Sequence, residues 1–172
     1  MKKIVTLLIL AGMFSASVFG QDKKKTEPLP GFSMGIEPAF PTGDLKLISS
    51  MGMGIKMQTF TPFCSMAGVS LSAGVTDYFL ANDVKTNEEK SLFAFPVEAG
   101  CRLFLPKGVY FEPKTGFTYF SDKGGNNIAF TYALNVGVMT SNFVDVSFCY
   151  ENAPYKGLTL SHTGITIAYI FH

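Results

Sequence analysis

A serine, a histidine and a carboxylate together can perform acyl transfer, with the histidine acting as general base. In this chain Ser161 and His162 are adjacent, and Glu37 or Glu151 would be the acid. Adjacent residues of a strand point to opposite faces, however, so Ser161 and His162 cannot readily pair if they lie on one strand. We therefore assign no catalytic residue. The alternative hydroxyls, at neighbouring strand ends, are Ser49, Ser50 and Ser91.

Metal and cofactor chemistry has little support in the sequence. The three cysteines, Cys64, Cys101 and Cys149, are an odd number and give no disulfide framework. Cys101 and Cys149 are expected on opposite faces of their strands. No Cys or His spacing matches a metal-site motif, and the glycine-rich stretch 122–127 lacks the strand–helix context of a phosphate loop. We predict no cofactor and no metal.

Eight charged residues stand at strand positions whose alternation places them on the polar face. Five are acids and three are bases, and the other residues of that face are mostly small or uncharged. A water-exposed face would be dense in Lys and Glu, whereas this mixture suits a narrow enclosed lumen. Burying an unpaired charge costs several kcal/mol, so we predict a stabilising network of lumen charges. Its members are Glu37, Lys56, Glu98, Arg102, Glu112, Lys114, Asp145 and Glu151.

The elements that must position these charges read as strands. From residue 31 onward, apolar and polar residues alternate in segments separated by turn-forming residues. Prolines inside a closed sheet remove ladder hydrogen bonds, so we expect bulges at Pro96 and Pro113. The eight predicted strands lie in 31–40, 51–60, 66–78, 92–104, 109–120, 128–139, 142–151 and the closing stretch "SHTGITIAYIFH".

The connections between these segments alternate between long and short. Four long polar connections ("PTGDLKLISS", "LANDVKTNEEKS", "SDKGGNN", "NAPYKGLTLS") alternate with three short ones ("TPFCS", "LPKG", "TS"). Such alternation predicts eight up-and-down antiparallel strands with both termini on one side. Short periplasmic turns and longer outer loops are typical of outer-membrane barrels.

The N-terminal residues indicate export. Lys2 and Lys3 precede the apolar stretch "IVTLLILAGMF", and Val18 and Gly20 precede a cleavage site near Gly20/Gln21. We predict a signal peptide over 1–20, a flexible periplasmic lead-in over 21–30 and a barrel domain over 31–172. No Cys follows the apolar stretch, so no lipid anchor is indicated.

Charge and hydropathy exclude two classes of function. Without Lys2 and Lys3 the chain has 12 basic and 13 acidic residues and no basic stripe, which argues against nucleic-acid binding. No segment after the leader reaches 18 consecutive apolar residues, which argues against a membrane-spanning helix.

The apolar face suits a lipid environment. A tilted strand of about 9 to 11 residues crosses the hydrocarbon layer, and closure into a barrel pairs the backbone groups where no water is available. Aromatic residues at segment ends are predicted to form interfacial girdles. These residues are Phe40, Phe60, Tyr78, Phe93, Phe104, Tyr110, Phe120 and Phe143.

The sequence resembles the small eight-stranded outer-membrane β-barrel proteins of Gram-negative bacteria, in particular the outer-membrane β-barrel (porin-like) domain family of Bacteroidetes. Four stretches carry the resemblance: "GIEPAFPTGD", "FPVEAGCRLFLPKGVYFEPKTGFTYF", "FTYALNVGVMTSNFVDVSFCYE" and "TGITIAYIF". The resemblance implies that the last strand, which ends at Phe171, is the signal read by the barrel assembly machinery. The family's aromatic is usually terminal, whereas here His172 follows it.

Taken together, the residues predict an exported, monomeric, eight-stranded antiparallel transmembrane β-barrel in outer-membrane lipid. Its polar lumen is predicted to be filled by side chains, and its role to be structural or in surface interaction through four extracellular loops. A narrow porin is the first alternative, because many glycines face the lumen and could leave a polar path. A soluble periplasmic lipid-binding barrel is the second, and it would require an apolar interior. The inward glycines are Gly35, Gly52, Gly54, Gly68, Gly74, Gly100, Gly116, Gly137 and Gly164.

Overall fold

The computed structural model describes residues 30–80, 91–122, 125–140, 143–155 and 157–171. The predicted signal peptide, and all of the predicted lead-in except its last residue, lie outside these residues. Among the described residues no helix has both the length and the apolar character needed to cross a membrane.

Eight antiparallel strands form one closed barrel in which each strand pairs with its neighbours in the chain, and the last pairs with the first. Most strands extend beyond the predicted segments on the long-loop side. Two of the predicted long connections are therefore wrong. In the predicted connection 152–161, residues 152–155 and 158–161 continue the hairpin and pair up to Tyr155↔Leu158. In the predicted connection 121–127, residues 121–122 and 125–127 belong to β5 and β6 and pair up to Asp122↔Gly125. The strands are β1 Gly31–Gly43, β2 Ser49–Cys64, β3 Ala67–Leu80, β4 Ser91–Phe104, β5 Val109–Asp122, β6 Gly125–Met139, β7 Val144–Tyr155 and β8 Leu158–Phe171.

The barrel is strongly staggered. A path across paired residues starts at Phe32 on β1, crosses every strand once and returns to β1 at Thr42, ten residues further along. For eight strands, this stagger corresponds to a tilt of roughly 40° and an interior just wide enough to be filled by side chains. The path runs through Thr59, Leu71, Ala99, Thr115, Tyr132, Asn152 and Ser161.

The predicted bulges at Pro96 and Pro113 are absent from the described strands. Pro96 pairs with Thr118 on β5 and is skipped on the β3 side, and Pro113 pairs with Leu134 on β6 and is skipped on the β4 side. The register is the same on both sides of each skipped stretch. The backbone N–H of a strand residue points toward one of the two neighbouring strands. Proline lacks this N–H, so it interrupts the ladder on that side only and leaves the strand in place.

The long-loop end of the lumen is closed by apolar side chains. The β1–β2 connection contains a one-turn helix, α1 (Leu45–Ile48), and Leu45 is almost completely buried. Asp44 ties this connection to β8 through its backbone N–H to the Thr159 carbonyl and its carboxylate to the Thr159 N–H. We call the buried cluster that surrounds Leu45 the apolar cap. It comprises Ala39, Leu45, Tyr78, Leu92, Ala94, Phe120, Ala129 and Ala153, with Ile48, Leu80 and Leu160 packed against it.

The outer surface of the barrel is apolar. Phe130 and Ile167 are each 52% exposed, and Val146 lies on the same outward face, so these three side chains do not meet in a shared centre. A soluble carrier with an apolar interior would place them inside. This arrangement rules out the soluble lipid-carrier alternative for the described barrel.

The predicted aromatic girdle is only partly correct. Phe40, Phe93 and Phe143 are exposed outside the barrel. The remaining five aromatics all occupy positions that strand alternation turns toward the lumen. Four of them are buried, and Phe104 is half-buried and packs against two of the four. The buried four are Phe60, Tyr78, Tyr110 and Phe120. Proximity to a strand end suggested a girdle, but strand parity determines which way each ring points.

Candidate functional site: the charged lumen

All eight predicted network residues point into the barrel. Seven are buried, and the Lys56 side chain retains 11% exposure. Strand alternation places them there, because the outward neighbours of each charge are apolar or small residues. The described contacts divide these residues into an upper cluster near the apolar cap and a lower cluster near the short turns.

Lys56 is the cation of the upper cluster. Its Nζ lies 2.9 Å from Glu37 Oε1 and 3.4 Å from Glu151 Oε2, and it donates to Cys149 Sγ at 3.7 Å. Thr118 donates to the other oxygen of Glu151 at 3.4 Å, and the other oxygen of Glu37 accepts from Thr166. Glu37 and Glu151 therefore each have a partner for both carboxylate oxygens, which offsets the cost of removing these groups from water.

His162 belongs to the same cluster. Its Nδ1 is 2.8 Å from the Tyr78 hydroxyl, and its Nε2 is 3.3 Å from Glu37 Oε1 and 3.9 Å from Glu151 Oε2. Carboxylates only accept hydrogen bonds, so Nε2 carries a proton in this arrangement. His162 thus connects the charges to Tyr78, which is part of the apolar cap.

Arg102 organises the lower cluster. Its guanidinium bonds Glu112 at 3.1 Å and Asp145 at 3.2 Å. Its Cζ lies 3.8 Å from the centre of the Tyr110 ring and 5.5 Å from that of Phe60, so the cation is packed against two aromatic rings. The Tyr110 hydroxyl also donates to Asp145 at 2.8 Å. This aromatic and ionic layer fills the lumen at the short-turn end.

The space between the clusters is filled by a polar chain. Gln58 donates to Glu112 at 2.8 Å and accepts from Lys114 at 2.8 Å. Lys114 also lies 3.9 Å from Glu112 and 3.4 Å from the Ser72 hydroxyl. Glu98 is the least satisfied acid of the described lumen: Ser72 donates to one oxygen at 3.4 Å, and the buried Oε1 has no described partner.

The inward glycines make room for these large groups. A Cβ at Gly137 would lie 2.5 Å from the Tyr110 ring, one at Gly68 2.4 Å from the Phe60 ring, and one at Gly164 2.8 Å from Glu37. Such distances are far below van der Waals contact, so each glycine position is already occupied by a neighbouring side chain. At these three positions the glycines leave no polar path, which weakens the observation that favoured a porin.

The serine–histidine pair considered for acyl transfer is not assembled. Ser161 Oγ bonds the Thr42 hydroxyl at 2.9 Å, whereas His162 points into the lumen toward Tyr78. Ser49 donates to the Phe79 carbonyl at 2.9 Å, and Ser50 is exposed. Ser91 belongs to β4, and its side chain lies outside the description.

One group of metal-ligating atoms was not anticipated from the sequence. Cys149, Glu151 and His162 are buried, and their donor atoms lie within 4.8 Å of one another. Lys56 Nζ lies 3.4 Å from Glu151 and 3.7 Å from Cys149, so an ammonium group already supplies the positive charge there. The pairing Glu151↔His162 and the i, i+2 spacing of Cys149 and Glu151 bring the three together. The sequence alone shows the i, i+2 spacing of Cys149 and Glu151, but it does not show that His162 pairs opposite Glu151.

Strand parity could also have identified the uncharged members of the network. Tyr78 shares the even parity of Ser72 on β3, and Tyr110 shares that of Glu112 on β5. Gln58 shares the parity of Lys56 on β2. None of the three is charged, so charge alone did not single them out in the sequence.

An eight-stranded up-and-down barrel with an apolar exterior and a charged, filled lumen defines the small transmembrane β-barrel class of outer-membrane proteins. Solved structures agree at the level of the fold. The chain is similar to Ail, the attachment invasion locus protein of Yersinia pestis, with a TM-score of 0.60 and 15% identity, over 85% of this chain and 100% of that one.

Two further outer-membrane proteins show the same fold. Neisserial surface protein A (NspA) matches with a TM-score of 0.52 and 15% identity, over 81% of this chain and 94% of that one. OprG from Pseudomonas aeruginosa matches with a TM-score of 0.50 and 9% identity, over 87% and 100%. No family model matches the chain, and no curated protein does.

Proposed function

We propose that this protein is a monomeric, non-enzymatic barrel of the bacterial outer membrane, with a side-chain-filled lumen and a structural or surface-interaction role. The observation that carries the proposal is the division of the wall into an apolar outer face and a charged inner face. Exposed Ile, Val and Phe side chains cover the outside at the level where Glu37, Lys56 and Glu98 lie inside. In water this division would be unfavourable, whereas in a bilayer it satisfies both faces.

The surface-interaction role rests on the connections at the end with the apolar cap. Loops carried by a rigid barrel vary without loss of the fold, and they are where barrels of this kind carry function. In the β1–β2 connection Leu47 is 74% exposed beside the exposed Lys46. Ail is named for attachment and invasion, which supports a contact role for a barrel of the same fold.

The route to the membrane is part of the proposal. Residues 1–20 would act as the export signal, and the barrel assembly machinery would bind the closing strand. That strand alternates Ile165, Ile167, Tyr169 and Phe171 on its outward face, and each of these is exposed. Membership of the Bacteroidetes-type outer-membrane β-barrel family is proposed on the four stretches quoted above.

Membrane fractionation followed by gel electrophoresis without boiling tests the proposal. We expect the protein in the outer-membrane fraction, with a folded band that shifts on boiling. Release into buffer without detergent would refute it. Planar-bilayer recording separates a filled scaffold from a channel: we expect no conductance steps, and stable ion-selective steps would restore the porin alternative.

A further inference from the structure

Four side chains of metal-binding type lie together in the upper cluster. Cys149 and Glu151 come from β7, His162 from β8 and Glu37 from β1, so three adjacent strands supply them. The donor atoms of Cys149, Glu151 and His162 lie within 4.8 Å of one another, and all four residues are buried. Thiolate, imidazole and carboxylate are the ligand types that bind zinc in proteins.

The spacing of the donor atoms is close to that of a tetrahedral zinc site. Zn–N and Zn–O bonds of roughly 2.0–2.2 Å at tetrahedral angles place neighbouring donor atoms about 3.3–3.6 Å apart. His162 Nε2 is 3.3 Å from Glu37 Oε1 and 3.9 Å from Glu151 Oε2. The Cys149 sulfur is within 4.8 Å of the Glu151 and His162 donors, so modest side-chain rotations would complete the set.

Three hydroxyl groups hold the far sides of these ligands. The Tyr78 hydroxyl lies 2.8 Å from the Nδ1 of the histidine. The second carboxylate oxygens of the two glutamates accept hydrogen bonds from Thr118 and Thr166. Outer partners of this kind fix the orientation of metal ligands and leave one donor atom of each directed at the metal.

Gly164 allows the ligands from β1 and β7 to approach each other. It pairs with Cys149 on β7, and a Cβ at this position would lie 2.8 Å from the Glu37 side chain. Glu37 therefore extends over β8 through space that any other residue at position 164 would fill. The glycine gives the cluster its convergence, beyond what strand alternation alone provides.

A cation already lies among the same donor atoms. Lys56 Nζ is 2.9 Å from Glu37 Oε1 and 3.4 Å from Glu151 Oε2, and it lies 3.7 Å from Cys149 Sγ. The thiol is only a weak acceptor for an ammonium group, whereas a thiolate is a strong ligand for zinc. The cysteine therefore suits a metal ion better than it suits the lysine.

Lys56 has a second carboxylate on the other side of the lumen wall. Glu98 is 3% exposed, and its Oε1 has no described partner. Ser72 and Gly74 are the lumen positions of β3 between Lys56 and Glu98, and Gly74 has no side chain to separate them. An ammonium group that left the upper cluster would satisfy this carboxylate.

We propose that the upper cluster is a zinc-binding site, in which Zn²⁺ takes the place of the Lys56 ammonium and the ammonium pairs with Glu98. The Cys149 thiol releases its proton to solvent on binding, and the imidazole carries its proton on Nδ1, toward Tyr78. The site goes beyond the surface role proposed above and does not depend on it. The ligand atoms are Glu37 Oε1, Cys149 Sγ, Glu151 Oε2 and His162 Nε2.

The metal is expected to bind while the barrel folds, because the apolar cap and the Arg102 layer cover the two ends of the charged lumen. The chain is therefore refolded from urea into detergent micelles with equimolar Zn²⁺ under reducing conditions, and the zinc left after EDTA treatment is measured. We expect about one zinc per folded barrel. Cys149→Ser should lose it, whereas Cys64→Ser and Cys101→Ser, outside the lumen, should keep it.

Refolding with Co²⁺ identifies the ligands directly. We expect a thiolate-to-cobalt charge-transfer band and the intense visible bands of tetrahedral cobalt. Both should be absent from Cys149→Ser and present in Cys101→Ser.

Lys56→Met separates a metal site from a purely structural ion cluster. This variant lacks the competing ammonium, so we expect it to bind Zn²⁺ more tightly than the wild type. Zn²⁺ should raise its urea midpoint toward the wild-type value and should not rescue the double variant Lys56→Met/Cys149→Ser. A structural cluster alone would gain no stability from zinc.

The outcomes decide between the lysine and the metal. If the folded wild type retains no zinc, the proposal is refuted even where Lys56→Met binds it, because the ammonium then keeps its position. Equal retention by Cys149→Ser, or loss in Cys64→Ser or Cys101→Ser, also refutes it. Only protein with a heat-modifiable band is compared, and Cys149→Ala replaces Cys149→Ser if the serine variant does not fold.

Discussion

Replacing Arg102 by alanine tests the claim that the lumen charges stabilise the barrel. The guanidinium bonds Glu112 at 3.1 Å and Asp145 at 3.2 Å, and it stacks on Tyr110. Its removal leaves two buried carboxylates without their common cation. Breaking a buried pair from one side typically costs about 3–5 kcal/mol.

The lower end of that range is expected here. Glu112 keeps Gln58 at 2.8 Å and Lys114 at 3.9 Å, and Asp145 keeps the Tyr110 hydroxyl at 2.8 Å. We therefore expect Arg102→Ala to lower the unfolding free energy by about 3 kcal/mol. Urea titration of the refolded barrel, read from the fraction that migrates as the folded band, measures the loss.

Two matched variants distinguish a charge effect from a general loss of packing. Lys107→Ala removes an exposed base from the β4–β5 turn at the same end of the barrel, and it should leave the midpoint unchanged. Adding Glu112→Gln and Asp145→Asn to Arg102→Ala removes the stranded charges and should recover most of the stability. If Arg102→Ala behaves like Lys107→Ala, or if the triple variant is less stable than the single one, the network reasoning is wrong.

Four further outcomes are expected from the same urea assay or from assembly in cells. Lys56→Met leaves Glu37 and Glu151 facing each other without the ammonium and should lower the unfolding free energy by several kcal/mol. Lys56→Arg keeps the charge and should lose less stability. Equal losses would show that the charge is unimportant. Gly137→Val should destabilise because its Cβ would lie 2.5 Å from Tyr110, and combining it with Tyr110→Ala should give less than the sum of the two losses; additive losses would contradict the contact. Ile167→Lys, on the lipid face, should lower the unfolding free energy in a bilayer by about 2–4 kcal/mol. A similar loss for Thr159→Lys, near the strand end, would argue against a cost that depends on depth in the bilayer. Truncation after Ala168, which removes Tyr169 and Phe171, should leave the chain unassembled, and a normal folded yield would refute the role of the closing strand.

The fold was predictable from the sequence because one physical pattern recurs in every strand. Alternation with period two placed Glu37, Glu98 and Asp145 on the inner face of three different strands, and the structure has them there. The number and spacing of the connections predicted the up-and-down order, although two of the four connections predicted to be long are mostly strand. These signals are local, so they survive without knowledge of which strands become neighbours.

Contacts across the lumen were not predictable from the same signals. Lys56 meets Cys149 and Glu151 because the stagger of the closed sheet brings distant strands to one level, and stagger is a property of the whole barrel. The partner hydroxyl of His162 is likewise on β3, 84 residues away. The aromatic girdle was only partly correct for a simpler reason. Position along the strand was used where strand alternation was needed, and alternation turns Tyr78 and Tyr110 toward the lumen.

We expect the charged lumen also to constrain the register of the strands. Replacing a buried ion network by apolar residues often leaves a protein equally stable, so stability alone does not explain why one is kept. A one-residue slip of any strand exchanges its two faces. For β4 such a slip would move Glu98 and Arg102 into lipid, at about 2–4 kcal/mol for the base alone, and would bring Val97 and Leu103 into a polar interior. The same exchange would penalise β1, β2, β5 and β7, each of which carries at least one lumen charge. We therefore expect the lumen charges to oppose slips by one residue in each of these five strands, because every such slip would move at least one charge from the lumen into lipid.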